Sequence, residues 1–406
     1  MSEHIFFHID VNSAYLSWTA LDRLENGDQT DLRLIPSIIG GDITKRHGVV
    51  LAKSIPAKEY GIQTGEPVIN AFRKCPNLVT AAPDHSLYAE RSRALIDYLY
   101  SYCREIEQVS IDECYMDYTP ISHKYSSPEA AAASIKDTVY EKFGFTVNIG
   151  ISNRKVLAKM ASDFKKPNLV HTLYSHEIQE KLWPLPVSSL YMCGRSSAST
   201  LHKLGILTIG DLAAADPNIL EAHLKSHGAT LWKYANGMDK SEIFSEPVKV
   251  KGIGNSTTLQ KDAITREDAF PVLSYLAKSV SSRLKESHEL AGLVCTEIKY
   301  ASFQSVSHQS TLAIPTAQWD TIYQKACELF DELWNGEPIR LLGIRTTKLV
   351  PESEPVQLSL FDFEPPAPKS QKQKKLDAAL SAIHKKYGED SVKKGSALNK
   401  HPRTDK

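Results

Sequence analysis

Along the first 165 residues, short apolar runs alternate with stretches whose apolar positions recur at helical spacing. That pattern predicts strands alternating with amphipathic helices. Residues 5–9, closed by Asp10, read as a strand and residues 14–24 as a helix. A strand pair is predicted at 35–39 and 49–53, separated by Gly40 and Gly41. Residues 87–106 carry Leu95, Ile96, Leu99 and Tyr102 at helical spacing, and 108–118 alternate in the strand manner with Val109, Ile111 and Cys114. Pro128 opens a helix that runs to about Lys142, proline being tolerated in a first turn. A strand at 145–151 and a helix at 155–164 follow. This β-α-β-α-β order with hairpin additions predicts a split βαβ sheet covered by helices on one face.

From about Pro167 to Asp239 the pattern becomes one of short helices, with Gly205, Gly228 and Gly237 closing them. Residues 240–254 read as a linker. Mixed α/β character returns over 255–350, with helices near 268–287 and 316–334 and strands near 292–303 and 339–349. Beyond Pro351 the chain is Pro- and charge-rich, the composition of a tail, with one short helix over 374–387.

Composition narrows the class. At 406 residues, 42% hydrophobic and 24% charged, the chain is neither disordered, collagen-like nor disulfide-rich. No signal peptide opens it and no apolar run approaches a membrane span. Six scattered cysteines without a CxxC pair speak against structural zinc and for a reduced, cytoplasmic setting. The 48 basic and 48 acidic residues sum to zero charge, which excludes a uniformly basic binder. The sum hides unlike parts. Residues 369–406 hold 11 Lys and Arg against 4 Asp and Glu, leaving 37 against 44 before them.

The candidate chemistry lies in acids at strand ends, Asp10, Asp112 and Glu113. A carboxylate there does not fill a core, and hard oxygens from two or three acids suit magnesium alongside substrate phosphates. Adjacent acids on one strand should face opposite sides, so a shared site at Asp112 and Glu113 requires a twist or bulge. On spacing alone, solvated acids paired with Lys or Arg are the commoner outcome.

Four motifs carry a resemblance. Residues 8–15, His-Ile-Asp-Val-Asn-Ser-Ala-Tyr, resemble the first motif of the Y-family translesion DNA polymerases, and residues 110–113, Ser-Ile-Asp-Glu, resemble their S-x-D-E motif. Residues 150–159, Gly-Ile-Ser-Asn-Arg-Lys-Val-Leu-Ala-Lys, and 165–168, Lys-Lys-Pro-Asn, complete the set. The likeness extends over most of 1–350 and is nearest to the bacterial DNA polymerase IV group. It implies a multidomain α+β right-hand polymerase: a split βαβ palm at 1–20 and 78–166, small fingers at 21–77, and a helical thumb at 167–240. An α/β little-finger domain at 241–350 and a flexible tail at 351–406 follow. It also implies low-fidelity DNA synthesis past lesions, within DNA repair and the SOS response, by a monomer acting on primer-template DNA and dNTPs.

For the site, the resemblance implies that Asp10, Asp112 and Glu113, with the main-chain oxygen of Val11, hold two Mg2+ ions, for which Mn2+ substitutes. Tyr15 matches the steric gate against a ribose 2′-hydroxyl, and is equally an aromatic on the inner face of its helix. The triphosphate segment departs from the family pattern at Ala52, Ile55 and Lys58. Lys58 still offers a point charge, though not the fork of an arginine, and Ser54 offers a compensating hydroxyl. Lys166 matches a second triphosphate lysine.

Residues 187–213 resemble a helix-hairpin-helix, which grips DNA phosphates through backbone amides and a helix N-terminus. Its glycine turn is incomplete: Gly194 is followed by Arg195, which offers either a phosphate contact or a solvated charge. Over 245–350 there are 12 basic and 12 acidic residues, so a DNA face there requires segregated charge. Gln357, Leu358, Leu360 and Phe361 resemble the peptide that docks on the bacterial sliding clamp, with apolar anchors suited to a groove. The basic end either touches DNA without sequence preference or keeps a disordered end soluble. Against the enzyme stand a DNA- and clamp-binding scaffold that manages polymerase exchange, and a nucleotide cyclase on a similar palm. A scaffold has no need of three converging acids, and a cyclase none of the hairpin or clamp peptide.

Overall fold

The computed structural model describes residues 4–41, 48–240, 242–243 and 250–353. The chain divides into two units, residues 1–249 and 250–406. The first begins β1 (Phe6–Val11), α1 (Ala14–Glu25), β2 (Ser37–Gly40), β3 (Val50–Lys53), α2 (Ile55–Glu59), α3 (Val68–Lys74) and β4 (Val79–Ala81). It continues α4 (His85–Leu99), β5 (Ile106–Gln108), β6 (Glu113–Asp117), α5 (Pro128–Phe143), β7 (Val147–Ser152), α6 (Lys155–Ser162) and β8 (Val170–Thr172). The helices α7 (Ile178–Lys181), α8 (Arg195–Lys203), α9 (Ile209–Ala214), α10 (Pro217–Leu224) and α11 (Ser226–Ala235) close it.

The main sheet runs β5-β6-β1-β7-β8, antiparallel except for its last pair. With β1 between β6 and β7, it is the split βαβ arrangement that the pattern predicts. A smaller sheet, β3-β2-β4, has its own apolar cluster around Ile38, Val50, Ile62 and Val68.

Alternation decides which side chain goes where. Phe7, Ile9 and Val11, with Met116, Val147 and Ile149, pack beneath Trp18 of α1, Leu99 of α4 and Ile135 of α5. The intervening positions, His8, Asp10, Asn148 and Gly150, face the other side. That side is covered too, which corrects the expectation of helices on one face only. A Cβ at Gly150 would stand 2.0 Å from the Ala158 carbonyl oxygen and 2.4 Å from the Ser162 nitrogen. Glycine therefore lets α6 lie directly on β7. The far face of α6, through Val156, Leu157 and Met160, joins Leu182, Leu201 and Leu231 in a separate apolar cluster.

Three local expectations change. The segment 108–118 is no single strand: β5 ends at Gln108, residues 109–112 turn, and β6 starts at Glu113. The helix expected to reach Ile106 stops at Leu99. Gly228 closes nothing; it lies within α11, where a Cβ would meet the Leu220 carbonyl oxygen of α10 at 2.4 Å.

The second unit runs β9 (Gly252–Ala263), α12 (Arg266–Glu286), β10 (Glu289–Tyr300), β11 (Ser305–Thr316), α13 (Trp319–Leu333) and β12 (Ile339–Pro351). Thr265 and Asp268 form a capping box that starts α12. The antiparallel sheet, β11-β10-β12-β9, buries one face under Leu273, Leu276 and Val280 of α12 and Ile322 and Phe330 of α13. Its other face carries a groove of about 560 Å³ lined by Gly252, Gly254, Ser256, Glu297, Gly343, Arg345 and Thr347. Two strands escape the sequence pattern. β9 begins inside the expected linker, and β11 is a largely exposed, polar edge strand without apolar alternation. Among the described residues, no helix is long and apolar enough to cross a membrane. The tail helix expected at 374–387 and the peptide at Gln357, Leu358, Leu360 and Phe361 lie outside the described residues.

Candidate active site

Asp10 at the end of β1 and Glu113 at the start of β6 are register partners. Like charges placed opposite each other on antiparallel strands repel, and two lysines offset them. Lys159 of α6 sets its Nζ 2.7 Å from Glu113 Oε2 and 3.3 Å from Asp10 Oδ2. Lys166 Nζ lies 3.2 Å from Asp10 Oδ1, and Asp163 joins both lysines at 3.5 and 2.9 Å.

Asp112 reaches the same neighbourhood from a turn, not from a strand, which removes the problem of opposite faces. Ser110 Oγ donates to Asp112 Oδ1 at 2.6 Å, and the Val11 amide donates to the Asp112 carbonyl oxygen at 2.9 Å. The turn is thus tied to the end of β1. The Tyr15 phenol is pushed up by its own burial and by the charge of the Asp112 carboxylate. Tyr15 stacks on buried Tyr88 with ring centroids 4.3 Å apart, and the Tyr88 hydroxyl lies 2.9 Å from Thr19 Oγ1.

Lys166 is held by an asparagine network. Asn148, the β7 register partner of Asp10, donates to the carbonyl oxygens of Lys165 at 2.7 Å and Ser162 at 3.1 Å. It accepts from the Leu169 amide at 3.2 Å, while Asn12 Oδ1 accepts from the Asn168 amide at 2.9 Å. The loop carrying Lys166 is therefore fastened to two strand ends.

The field of the cluster is one of paired charges. His8 and Lys159 hold the Glu113 carboxyl down to about 2, against the opposing effect of burial. Burial by itself would lower Lys159 and Lys166, but their acidic neighbours, Asp10 first, raise both ammonium groups above the ordinary lysine value. Burial keeps His8 below its ordinary value despite Glu113 beside it. An uncharged imidazole next to an ionised carboxylate satisfies both shifts.

His8, Asp10 and Glu113 offer ligand atoms within 4.8 Å of one another. The oxygens of Asp10 and Glu113 already converge on a cation, the Lys159 ammonium. This hard-oxygen donor set fits a divalent ion.

The other expected residues divide. Ser54 is buried, and its hydroxyl caps α2: it donates to the Ile35 carbonyl oxygen at 2.7 Å and accepts from the amides of Ala57 and Ser37, each at 3.1 Å. That corrects its reading as a compensating phosphate contact. Lys58 stands exposed on α2. Gly194 is the N-cap of α8 and Arg195 its exposed first residue. Both line an open groove of about 690 Å³ with His202 and Lys203. Sequence reading missed His8, Lys159 and Asp163. For His8 the signal was there, two positions before Asp10 on the same strand face. Lys159 lay inside a quoted motif, and Asp163 stands four residues after it.

Known proteins match at full length. The chain matches the impB/mucB/samB family over residues 9–163 and the C-terminal domain of that family over residues 250–360. It is 43% identical over 396 residues to DNA polymerase IV of Clostridium acetobutylicum, covering 98% of each chain. To DNA polymerase IV of Bacillus velezensis it is 36% identical over 398 residues, covering 98% of this chain and 94% of the relative. Its fold is also that of a solved Y-family DNA polymerase chimera, with a TM-score of 0.74 at 21% identity over 85% of this chain and 99% of the other. The chain belongs to the impB/mucB/samB family, in the DNA polymerase IV group.

Proposed function

We propose that the chain is a DNA-directed DNA polymerase that extends primers across damaged templates with low fidelity. The observation that carries this reading is the pairing of Asp10 with Glu113 across β1 and β6, with Lys159 on both and Lys166 on Asp10. Family membership implies dependence on a divalent metal and binding of primer-template DNA and dNTP. We take the metal to be Mg2+, held by Asp10, Asp112, Glu113 and the Val11 carbonyl oxygen. When bound, it would supply activation of the primer 3′-hydroxyl and neutralisation of the leaving pyrophosphate. The chain's own residues do the rest. Lys159 and Lys166, fully charged, face the phosphates whose charge grows during transfer. Tyr15, braced by Tyr88, is a rigid wall against the ribose 2′-hydroxyl.

The same reading assigns 1–20 and 78–166 as palm, 21–77 as fingers with Lys58 toward the triphosphate, and 167–240 as thumb. Gly194 and Arg195 of the thumb and the polar sheet face within 241–350 grip the DNA backbone. Gln357, Leu358, Leu360 and Phe361 in the tail 351–406 dock on the sliding clamp, and the protein works as a cytoplasmic monomer, as befits its bacterial relatives. A scaffold without catalysis has no use for three acids set against two lysines.

The test is primer extension on undamaged and abasic templates with Mg2+ or Mn2+, run with deoxy- and ribonucleotides, with and without clamp. Extension on both templates, selective for deoxynucleotides and stimulated by clamp, is the expected result. No extension with either metal would overturn the enzyme reading. Equal use of ribonucleotides would overturn the gate, and an unmoved rate with clamp would overturn docking.

A further inference from the structure

Beneath the acid cluster lies a histidine that the mechanism so far leaves idle. His8 is 1% exposed and shares the Asp10 face of β1. Its Nδ1 lies 2.8 Å from Ser162 Oγ, in the last turn of α6, and its Nε2 lies 3.4 Å from Glu113 Oε2. Its register partner Tyr115 meets the ring edge-on at 4.8 Å. The imidazole is thereby fixed by a helix, a neighbouring ring and a carboxylate.

An uncharged ring has one proton to place. On Nδ1, that proton would leave the Nε2 lone pair facing an ionised carboxylate. On Nε2, it points at Glu113 Oε2 across 3.4 Å, and the Ser162 hydroxyl, which otherwise donates to the Lys159 carbonyl oxygen at 2.8 Å, turns its proton to Nδ1. The second arrangement gives up the Ser162 bond to the Lys159 carbonyl oxygen but sets no lone pair against the carboxylate, so we assign it. The imidazole edge at 3.4 Å and the Lys159 ammonium at 2.7 Å then both face Oε2, which restricts rotation about the last bond of the Glu113 side chain.

We propose that His8, anchored by Ser162, is a positioning residue that holds the Glu113 carboxylate ready for the divalent ion. The inference rests on reading Asp10, Asp112 and Glu113 as the metal ligands. Partners that orient metal ligands from behind typically change metal affinity or activity by about 10- to 100-fold when removed.

The test uses the full chain and Mn2+ alone as probe. Mn2+ affinity is read by calorimetry, then kcat and KM by single-nucleotide insertion. His8→Phe is expected to lower Mn2+ affinity and kcat together by about 10- to 100-fold, with KM for the nucleotide and Kd for DNA little changed. His8→Gln places an amide N–H near the position of Nε2 and should recover most of the loss. Ser162→Ala keeps the ring, removes its anchor and should cost several-fold. A folded His8→Phe variant with the wild-type Mn2+ affinity and kcat would overturn the proposal. So would His8→Gln as impaired as His8→Phe, since the ring would then only fill space. Should His8→Phe fail to fold, an unchanged Ser162→Ala decides against it equally. Failure of the underlying reading looks different: Asp112→Asn would leave Mn2+ affinity untouched, or the wild type would bind none.

Discussion

The two units use one element order to opposite ends. In each, strand, helix, two strands, helix and strand follow one another, if the segment from β2 to β4 is set aside and α1 and α4 are counted as one helical layer. In the first, the opening strand β1 is central, so Asp10 faces Glu113 on one side and Asn148 on the other. In the second, the opening strand β9 is at an edge with β12 as its neighbour. The second face of the first sheet is pressed against α6, which delivers Lys159 to the acids and Ser162 to His8. The second face of the other sheet stays open, lined by glycines, Ser256, Thr347 and Arg345. Chemistry therefore follows strand position and what covers the polar face, not element order. A central strand end under a close helix can gather charge; an open polar face can only present it.

The sharpest way to break this contrast is a methyl group on each polar face. Gly150→Ala should cost more than about 4 kcal/mol, because its Cβ meets rigid backbone of α6. Gly343→Ala should cost about 1 kcal/mol or less, its nearest neighbour being the Ser256 Cβ at 3.1 Å. Urea unfolding of the two variants measures the difference; equal costs would mean that α6 does not rest on β7 as described.

A second test is acid sensitivity. The Glu113 carboxyl is held at about 2 against an ordinary 4.5, so its contribution is complete above 4.5 and lost as pH falls toward 2. The metal-free wild type should lose up to about 3 kcal/mol through that window that Glu113→Gln does not lose. Parallel acid limbs in urea titrations would contradict the pairing with His8 and Lys159.

Next comes Asn148→Ala, which strands the Ser162 and Lys165 carbonyl oxygens and the Leu169 amide. It should cost about 2 kcal/mol and, by loosening Lys166, raise KM for the nucleotide. Smallest in stability is Arg345→Ala on the open face, expected within about 0.5 kcal/mol of wild type. Its effect should appear instead in DNA binding, as a salt dependence of log Kd weaker by about one phosphate contact.

Period two made the placing of Asp10 legible: Phe7, Ile9 and Val11 are apolar and Asp10 falls between. The motifs around it, and around Asp112 and Glu113, pointed to one site. The route by which Asp112 arrives was not legible, because a tight turn at 109–112 reads as a continuous alternation. Nor was β11, whose side chains are polar as an exposed edge strand allows. Ser54 misled for a similar reason: a hydroxyl before Ile55-Pro56 is as good a helix cap as a phosphate contact. Lys159 and His8 went unassigned because their partners lie 46 and 105 residues away, on elements that only the register brings together.

The central claim is that the acids of the β1 and β6 ends are catalytic and that their removal spares DNA binding. Single-nucleotide insertion by Asp112→Asn and by Glu113→Gln, measured beside Kd for primer-template DNA, tests it most directly. The account predicts a fall in kcat of at least about a hundredfold with Kd little changed. Insertion by both variants at the wild-type rate would contradict it.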